Sequence, residues 1–288
     1  MAIFLMSGSA LAEIFPYDIN ITHTKNPMDL SEEVLILYQK DKEVFRLDDY
    51  LIYTIHRGDL DADGYDEIVI KSYSGGAHCC FAYCIVSLRP KISKPYCIDT
   101  VNYEKMEIRD IDGDHKAELI FGDDRYSWFG DLSFAHSPGV QVVAQYKDNR
   151  LKLNAELTKL IHKNMEVNLT RTSVLENARE GVSINENGSD VISYVLYLFY
   201  VGEQEAAIKI LHKYFYFQDS AIVTIFLDSL IGKMKTSPFW DDIRVINHWY
   251  QNVPYSPRTL CKQSKALWRD INVQLELYRK LESLRTKF

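Results

Sequence analysis

Asp59-Leu60-Asp61-Ala62-Asp63-Gly64-Tyr65-Asp66-Glu67 sets carboxylates at the first, third, fifth and ninth positions of one short segment. The pattern returns about fifty residues later as Asp110-Ile111-Asp112-Gly113-Asp114-His115-Lys116-Ala117-Glu118. Alternating carboxylates of a tight loop can converge on one centre. The backbone carbonyl of the seventh residue, Tyr65 or Lys116, can join them, which makes an all-oxygen nest of the kind Ca2+ prefers. Without a cation, so many carboxylates in one place would repel one another and raise their own pKa values. The competing reading is a solvated turn, because Asp and Gly populate turns with no metal at all.

The twelfth position separates these loops from an EF-hand. It should hold a bidentate Glu, and here it is Ile70 or Phe121 inside a β-like run. The loops resemble instead the strand-loop-strand calcium motif of FG-GAP/VCBS repeats, found in integrin-type propeller blades and many secreted bacterial proteins. The resemblance covers about Ile55 to Phe121, under a third of the chain. It implies Asp59, Asp61, Asp63, Tyr65 and Glu67 as ligands in the first loop, and Asp110, Asp112, Asp114, Lys116 and Glu118 in the second. One or two structural Ca2+ ions would then fasten hairpins. The second loop departs from the pattern. Its glycine is at the fourth position, and His115 stands at the sixth, where the chain bends and glycine is better suited to a left-handed backbone.

A second cluster follows the first loop: Ser72-Tyr-Ser-Gly75-Gly76-Ala-His78-Cys79-Cys80-Phe-Ala-Tyr-Cys84, with Cys97 further on. Its Ser-Gly-Gly-Ala-His-Cys-Cys core is similar to a stretch in a group of exported bacterial proteins of unassigned function, and implies no activity. Three chemistries fit. Cys79, Cys80, Cys84 and Cys97 can form disulfides in an exported β domain. An adjacent Cys79–Cys80 bond would close a strained ring, which favours Cys84 and Cys97 as the partners of that pair. Alternatively, His78 with Cys79 or Cys80 could serve a thiol-dependent hydrolase or redox enzyme. His78 with three thiolates could also bind zinc, although the spacing fits no standard pattern.

The elements that would position these groups are strand-like from about Val34 to about Leu153. Val34 to Tyr38 and Val44 to Leu47 flank the polar turn Lys40-Asp41-Lys42 as a hairpin. Tyr50 to His56, Ile68 to Ser72, Phe81 to Leu88, Cys97 to Tyr103, Leu119 to Phe121 and Val140 to Tyr146 continue the series. Beyond it, Ser193 to Tyr216 reads as a helical hairpin broken at Gly202-Glu203-Gln204. Asp219 to Met234 and Arg258 to Leu284 read as further helices. The expected fold is α+β: residues 1–12 a signal-peptide remnant, 13–154 a small antiparallel β domain carrying both Asp-rich strand-loop-strand motifs, and 155–288 an α-helical bundle.

Composition narrows the function. The 288 residues carry a formal net charge of −7, which argues against an electrostatic grip on nucleic acid. The longest apolar run, Val191 to Val201, is too short to span a bilayer. There is no P-loop, dinucleotide-binding glycine pattern, Gly-x-Ser-x-Gly elbow or His-Glu-x-x-His. Tyr126 to Asp131 is aromatic enough to form a sugar- or peptide-binding platform. Small residues at Ala10 and Ala12 would suit cleavage before Glu13. The resulting expectation is a periplasmic or secreted, calcium-stabilised interaction protein without catalytic activity, whose partner is another protein or a glycan. An envelope inhibitor or immunity-type protein is a further possibility of the same composition.

Overall fold

The computed structural model describes residues 11–15, 19–26, 32–75, 81–92, 94–163, 169–177, 181–217 and 220–249. Residues 1–10 of the expected leader, the His78-Cys79-Cys80 stretch and the terminal helix read over Arg258 to Leu284 lie outside the described residues.

Three four-stranded antiparallel meanders follow one another along the chain. The first is β1 (Leu11–Phe15), β2 (Ile19–Lys25), β3 (Glu33–Gln39) and β4 (Lys42–Asp49). The second is β5 (Leu51–Gly58), β6 (Glu67–Tyr73), β7 (Phe81–Ser87) and β8 (Tyr96–Val101). The third is β9 (Glu107–Arg109), β10 (Glu118–Asp123), β11 (Val140–Lys147) and β12 (Arg150–Leu153). The anticipated hairpin between β3 and β4 turns through Lys40 and Asp41, both at positive φ.

Alternation along the strands decides which face is covered, because successive side chains point to opposite sides. In the second meander Ile68, Ile70, Cys84 and Val86 join Ile19, Ile21, Leu35 and Leu37 of the first in one apolar cluster. The opposite face, with Val69, Tyr83, Ile85 and Ile98, belongs to the main core together with Leu119, Phe121, Val142 and Ala144 of the third meander. Ile120 and Val143, on the other side of the third sheet, are covered by Leu157 of α1 (Ala155–His162). That helix starts where Asn154 Oδ1 accepts from the Leu157 amide at 3.0 Å, an N-cap that satisfies one of the free amides of the first turn.

The expected C-terminal helical bundle is not what the described residues form. The described residues are mostly β, in four sheets. α2 (Gly188–Tyr200) and α3 (Gln204–Tyr214) do make the anticipated hairpin around Gly202, and α4 (Ser220–Met234) follows, then α5 (Trp240–Ile246). But β13 (Thr172–Leu175), β14 (Ser183–Ile184) and β15 (Phe215–Phe217) build a fourth sheet among them, with β13 parallel to β15. The helices do not enclose a core of their own. Val191, Ile192, Val195, Leu196, Leu198, Phe199 and Tyr200 of α2 are all buried, a wider apolar surface than a neighbouring helix can cover, and they share the main core with the third sheet. Strands of two to four residues are too short for alternation to reveal them.

One buried polar knot fastens this half to the sheet. Asp123 Oδ2, at the end of β10, accepts from Tyr200 Oη and from Ser237 Oγ, each at 2.6 Å. The Tyr126 and Tyr200 hydroxyls lie 2.8 Å apart, and both rings are fully buried.

Candidate metal centre

Both acidic loops join the first and second strands of a meander, β5 to β6 and β9 to β10. Glu67 opens β6, opposite Gly58 on β5 and Ser87 on β7. Glu118 opens β10, opposite Arg109 on β9 and Gln145 on β11. The two glutamates therefore hold the same place in two sheets, and both are fully buried. Each accepts from the amide of the second residue of its own loop, Leu60 at 3.0 Å and Ile111 at 2.8 Å.

The remaining carboxylates shape the loops in the same way. Asp59 accepts from the amides of Asp63 (3.1 Å) and Gly64 (2.7 Å), and Asp110 from those of Gly113 (2.6 Å) and His115 (3.0 Å). At the fifth position Asp63 accepts from the Tyr65 amide at 3.0 Å, and Asp114 from the Lys116 amide at 2.9 Å. Both loops take positive φ at the fourth and sixth positions: Ala62 (58°) and Gly64 (92°), then Gly113 (83°) and His115 (67°). His115 thus adopts the left-handed conformation that its position demands. The loops also touch, since the Ala117 amide donates to the Leu60 carbonyl at 3.0 Å.

Of the ten expected ligand residues, the structure brings two triads together. Asp59, Asp61 and Glu67 present oxygens within 4.8 Å of one another, and so do Asp110, Asp112 and Glu118. The fifth-position carboxylates turn to cations of the chain instead. Asp63 pairs with Arg89 Nη2, and Asp114 lies 2.9 Å from Lys116 Nζ. Tyr65 and Lys116 stand at the seventh position of each loop, where their amides brace those same carboxylates.

The loops differ in what surrounds the buried glutamate. Gln145 reaches across from β11 and donates to Glu118 Oε1 at 2.8 Å. Ser87 stands in the corresponding place; its hydroxyl lies close enough to pull the Glu67 carboxyl down, but neither Glu67 Oε1 nor Ser87 Oγ makes a well-aligned hydrogen bond. Asp61 Oδ1 is buried and unpartnered as well. Burial pushes the Glu67 carboxyl up to about 7; the Leu60 amide and the nearby Ser87 temper the shift, while Asp61 and Asp63 reinforce it. The Asp61 carboxyl is also raised, by burial and then by Asp63, against the pull of Arg89. In the second loop the Lys116 side chain and amide hold exposed Asp114 below the usual carboxylate range. Oxygens of Asp59, Asp61 and Glu67 within 4.8 Å of one another, with one oxygen each of Asp61 and Glu67 buried and unsatisfied, are residues that could hold a hard metal ion.

The cysteines give a second, partial answer. Cys84 and Cys97, directly opposite on β7 and β8, are joined by a disulfide. The expected pairing of these two with Cys79 and Cys80 is therefore corrected, and two of the thiolates a zinc site would draw on are spent. The thiol reading through His78 with Cys79 or Cys80 lies outside the described residues.

Two other arrangements carry no chemistry. Ser133 Oγ lies 2.8 Å from His136 Nδ1, and Glu186 is 3.5 Å from that same nitrogen. A catalytic triad needs nucleophile and acid on opposite nitrogens of the ring. In the anticipated aromatic platform Tyr126 is fully buried, which leaves Trp128, half-exposed beside Phe134, as its open ring.

Arg89, Ser87 and Gln145 were not legible from loop spacing. The signal that could have found the last two is register, because each lies opposite a loop glutamate on the next strand. Among the described residues no helix is long and apolar enough to cross a membrane. The class these observations define is a pair of oxygen-lined strand-loop-strand sites on consecutive antiparallel meanders. No protein-family model, curated protein or solved structure matches the chain.

Proposed function

We propose that this is an exported, calcium-stabilised binding protein without catalytic activity, in which two FG-GAP-like loops hold structural ions. One observation carries the reading. Two loops of the same carboxylate pattern, in the same place of two meanders, each aim a fully buried glutamate at two aspartates. Asp59, Asp61 and Glu67 would hold one ion, and Asp110, Asp112 and Glu118 the other. Bound there, Ca2+ would supply the positive charge that lets three carboxylates share one small space.

The rest of the chain would then act as a rigid platform. The Ala117 to Leu60 hydrogen bond couples the two loops, so fixing one hairpin orders the other. The Cys84–Cys97 bond supports an oxidising compartment outside the cytosol, periplasmic or extracellular. The acidic balance favours a protein or glycan partner over nucleic acid.

The test is calorimetric titration of Ca2+ into the full chain and into Asp59→Ala and Asp110→Ala variants. Two sites in the parent and one in each variant is the expected result. A parent chain that releases no binding heat and stays unchanged in its spectra at millimolar Ca2+ overturns the reading.

A further inference from the structure

Arg89 lies just past β7, and its guanidinium reaches back over the first loop. Nη2 contacts Asp61 Oδ2 at 3.2 Å and also meets Asp63 Oδ2. These are the third- and fifth-position carboxylates, two of the expected ligands. The Arg89 side chain is partly exposed, while its Nε is buried without a hydrogen-bond partner. The guanidinium is thus held by its ion pairs and one hydrogen bond from Nη2 to Asp61 Oδ2, with its fork only partly used. Asp61 is left half-served: Oδ2 faces Arg89 while Oδ1 has no partner.

The second loop has no counterpart. Its cation is Lys116, within the loop, and Lys116 touches only the fifth-position Asp114. Both members of that pair are exposed. No cation is bound to Asp112 among the ion pairs of the described residues, and Glu118 is already satisfied by Gln145. The two loops thus share a carboxylate pattern and differ in how its charge is balanced.

We infer that Arg89 is a built-in counter-ion of the first loop, and that it competes with a divalent cation for Asp61 and Asp63. This rests on the proposed calcium reading of the same loop. Ca2+ needs six to eight oxygens at about 2.3–2.6 Å. Asp61 can offer Oδ1 with the arginine in place, but Asp61 Oδ2 and Asp63 Oδ2 face the guanidinium and can turn to an ion only by giving up that pairing, and two cations on one cluster repel each other. Entry at the first loop therefore swings Arg89 outward, whereas entry at the second asks only the exposed Lys116 to release Asp114. The arginine keeps the first loop folded when divalent cation is scarce and weakens its affinity when cation is plentiful. That makes the first loop the responsive site and the second the constitutive one.

The test uses the full chain carrying Asp110→Ala, which silences the second loop, with and without Arg89→Met. Calorimetric titration with CaCl2 should show binding at least about tenfold tighter once the arginine is gone, within the usual range for coupled ligands. In EDTA the Arg89→Met chain should melt below its parent, and at saturating Ca2+ this deficit should vanish or reverse. Equal affinities in the two chains overturn the competition while leaving the calcium reading intact. A parent that binds no Ca2+ overturns both.

Should Arg89→Met not fold, the chain with Arg89 intact still decides. Its Arg89 Nε–Hε resonance should move in step with occupation of the first loop, and a resonance unmoved through saturation overturns the inference. Lys116→Met, made in a chain that carries Asp59→Ala in place of Asp110→Ala so that the second loop is read, should change affinity by less than about twofold, since Lys116 is a surface cation on one carboxylate. A tenfold gain there would overturn the asymmetry.

Discussion

Gln145 donates its side-chain amide to Glu118 Oε1 at 2.8 Å, across the β10–β11 pairing that also sets these residues opposite each other. Glu67 has Ser87 in that place and receives no such bond. Both oxygens of one buried glutamate are satisfied by the fold, and the other keeps only the Leu60 amide on Oε2.

Removing the glutamine should make the second loop resemble the first. Gln145→Ala strips a partner from a fully buried carboxylate, at a cost of about 1–3 kcal/mol in EDTA. Urea unfolding reads the loss. Saturating Ca2+ should shrink it, because the ion then faces the freed oxygen. A variant as stable as the parent in EDTA would show that the hydrogen bond carries no weight.

The sixth loop position offers a change that should help. His115 sits at φ 67°, where Gly64 sits in the first loop. A side chain in that conformation is strained by roughly 1 kcal/mol relative to glycine. His115→Gly should raise the melting temperature in Ca2+ by a few degrees. The reciprocal Gly64→Ala should lower it, although nothing crowds the position where its methyl group would go. The backbone alone is the cause.

Much of this was readable in the chain. The carboxylate spacing named both triads, since it reports on residues a few positions apart. Most strands between Val34 and Tyr146 were legible from runs of β-branched and aromatic residues at short spacing, and β9, three residues long, was not. Ser87 and Gln145 were not, because they arrive beside the loops through cross-strand register, and Arg89 was not, because it folds back from beyond the end of β7; all three are twenty or more residues away. The helices α2 to α4 showed their periodicity, but Phe215-Tyr216-Phe217 passed for helical core. Its strand character comes from parallel pairing with Thr172 to Val174, a tertiary contact with no local signature.

The polar knot at Asp123 should resist change more than surface pairs do. Tyr200→Phe deletes a buried hydroxyl that donates to Asp123 Oδ2 at 2.6 Å. The expected loss is about 2 kcal/mol, the usual worth of a bond to a charged group. It should appear in urea unfolding followed by near-ultraviolet circular dichroism. An unchanged midpoint would mean that Ser237 alone satisfies the carboxylate.

Acid should weaken the fold through His212 on α3. Burial pushes its pKa down to about 4. The unfolded ring takes a proton near 6.5, so between these values the unfolded chain binds more protons. Stability from this group is complete above about pH 6.5 and is lost as the pH falls toward 4. The loss is on the order of 2 kcal/mol, discounted for partial exposure. His212→Gln should flatten the acid limb of a plot of urea midpoint against pH. An identical limb in the variant would assign it to other groups.

The central claim, that the two acidic loops are calcium sites on which the β half depends, is tested most directly by one thermal melt of the full chain. It is run in EDTA and again at a Ca2+ concentration a hundred times the dissociation constant. Binding to the folded state alone adds RT ln(1 + [L]/Kd), or about 2.7 kcal/mol for each occupied loop. The melting temperature should rise by several degrees in Ca2+, less in Asp59→Ala and in Asp110→Ala, and not at all when both are changed. A melting temperature that is the same in EDTA and in millimolar Ca2+ would contradict it.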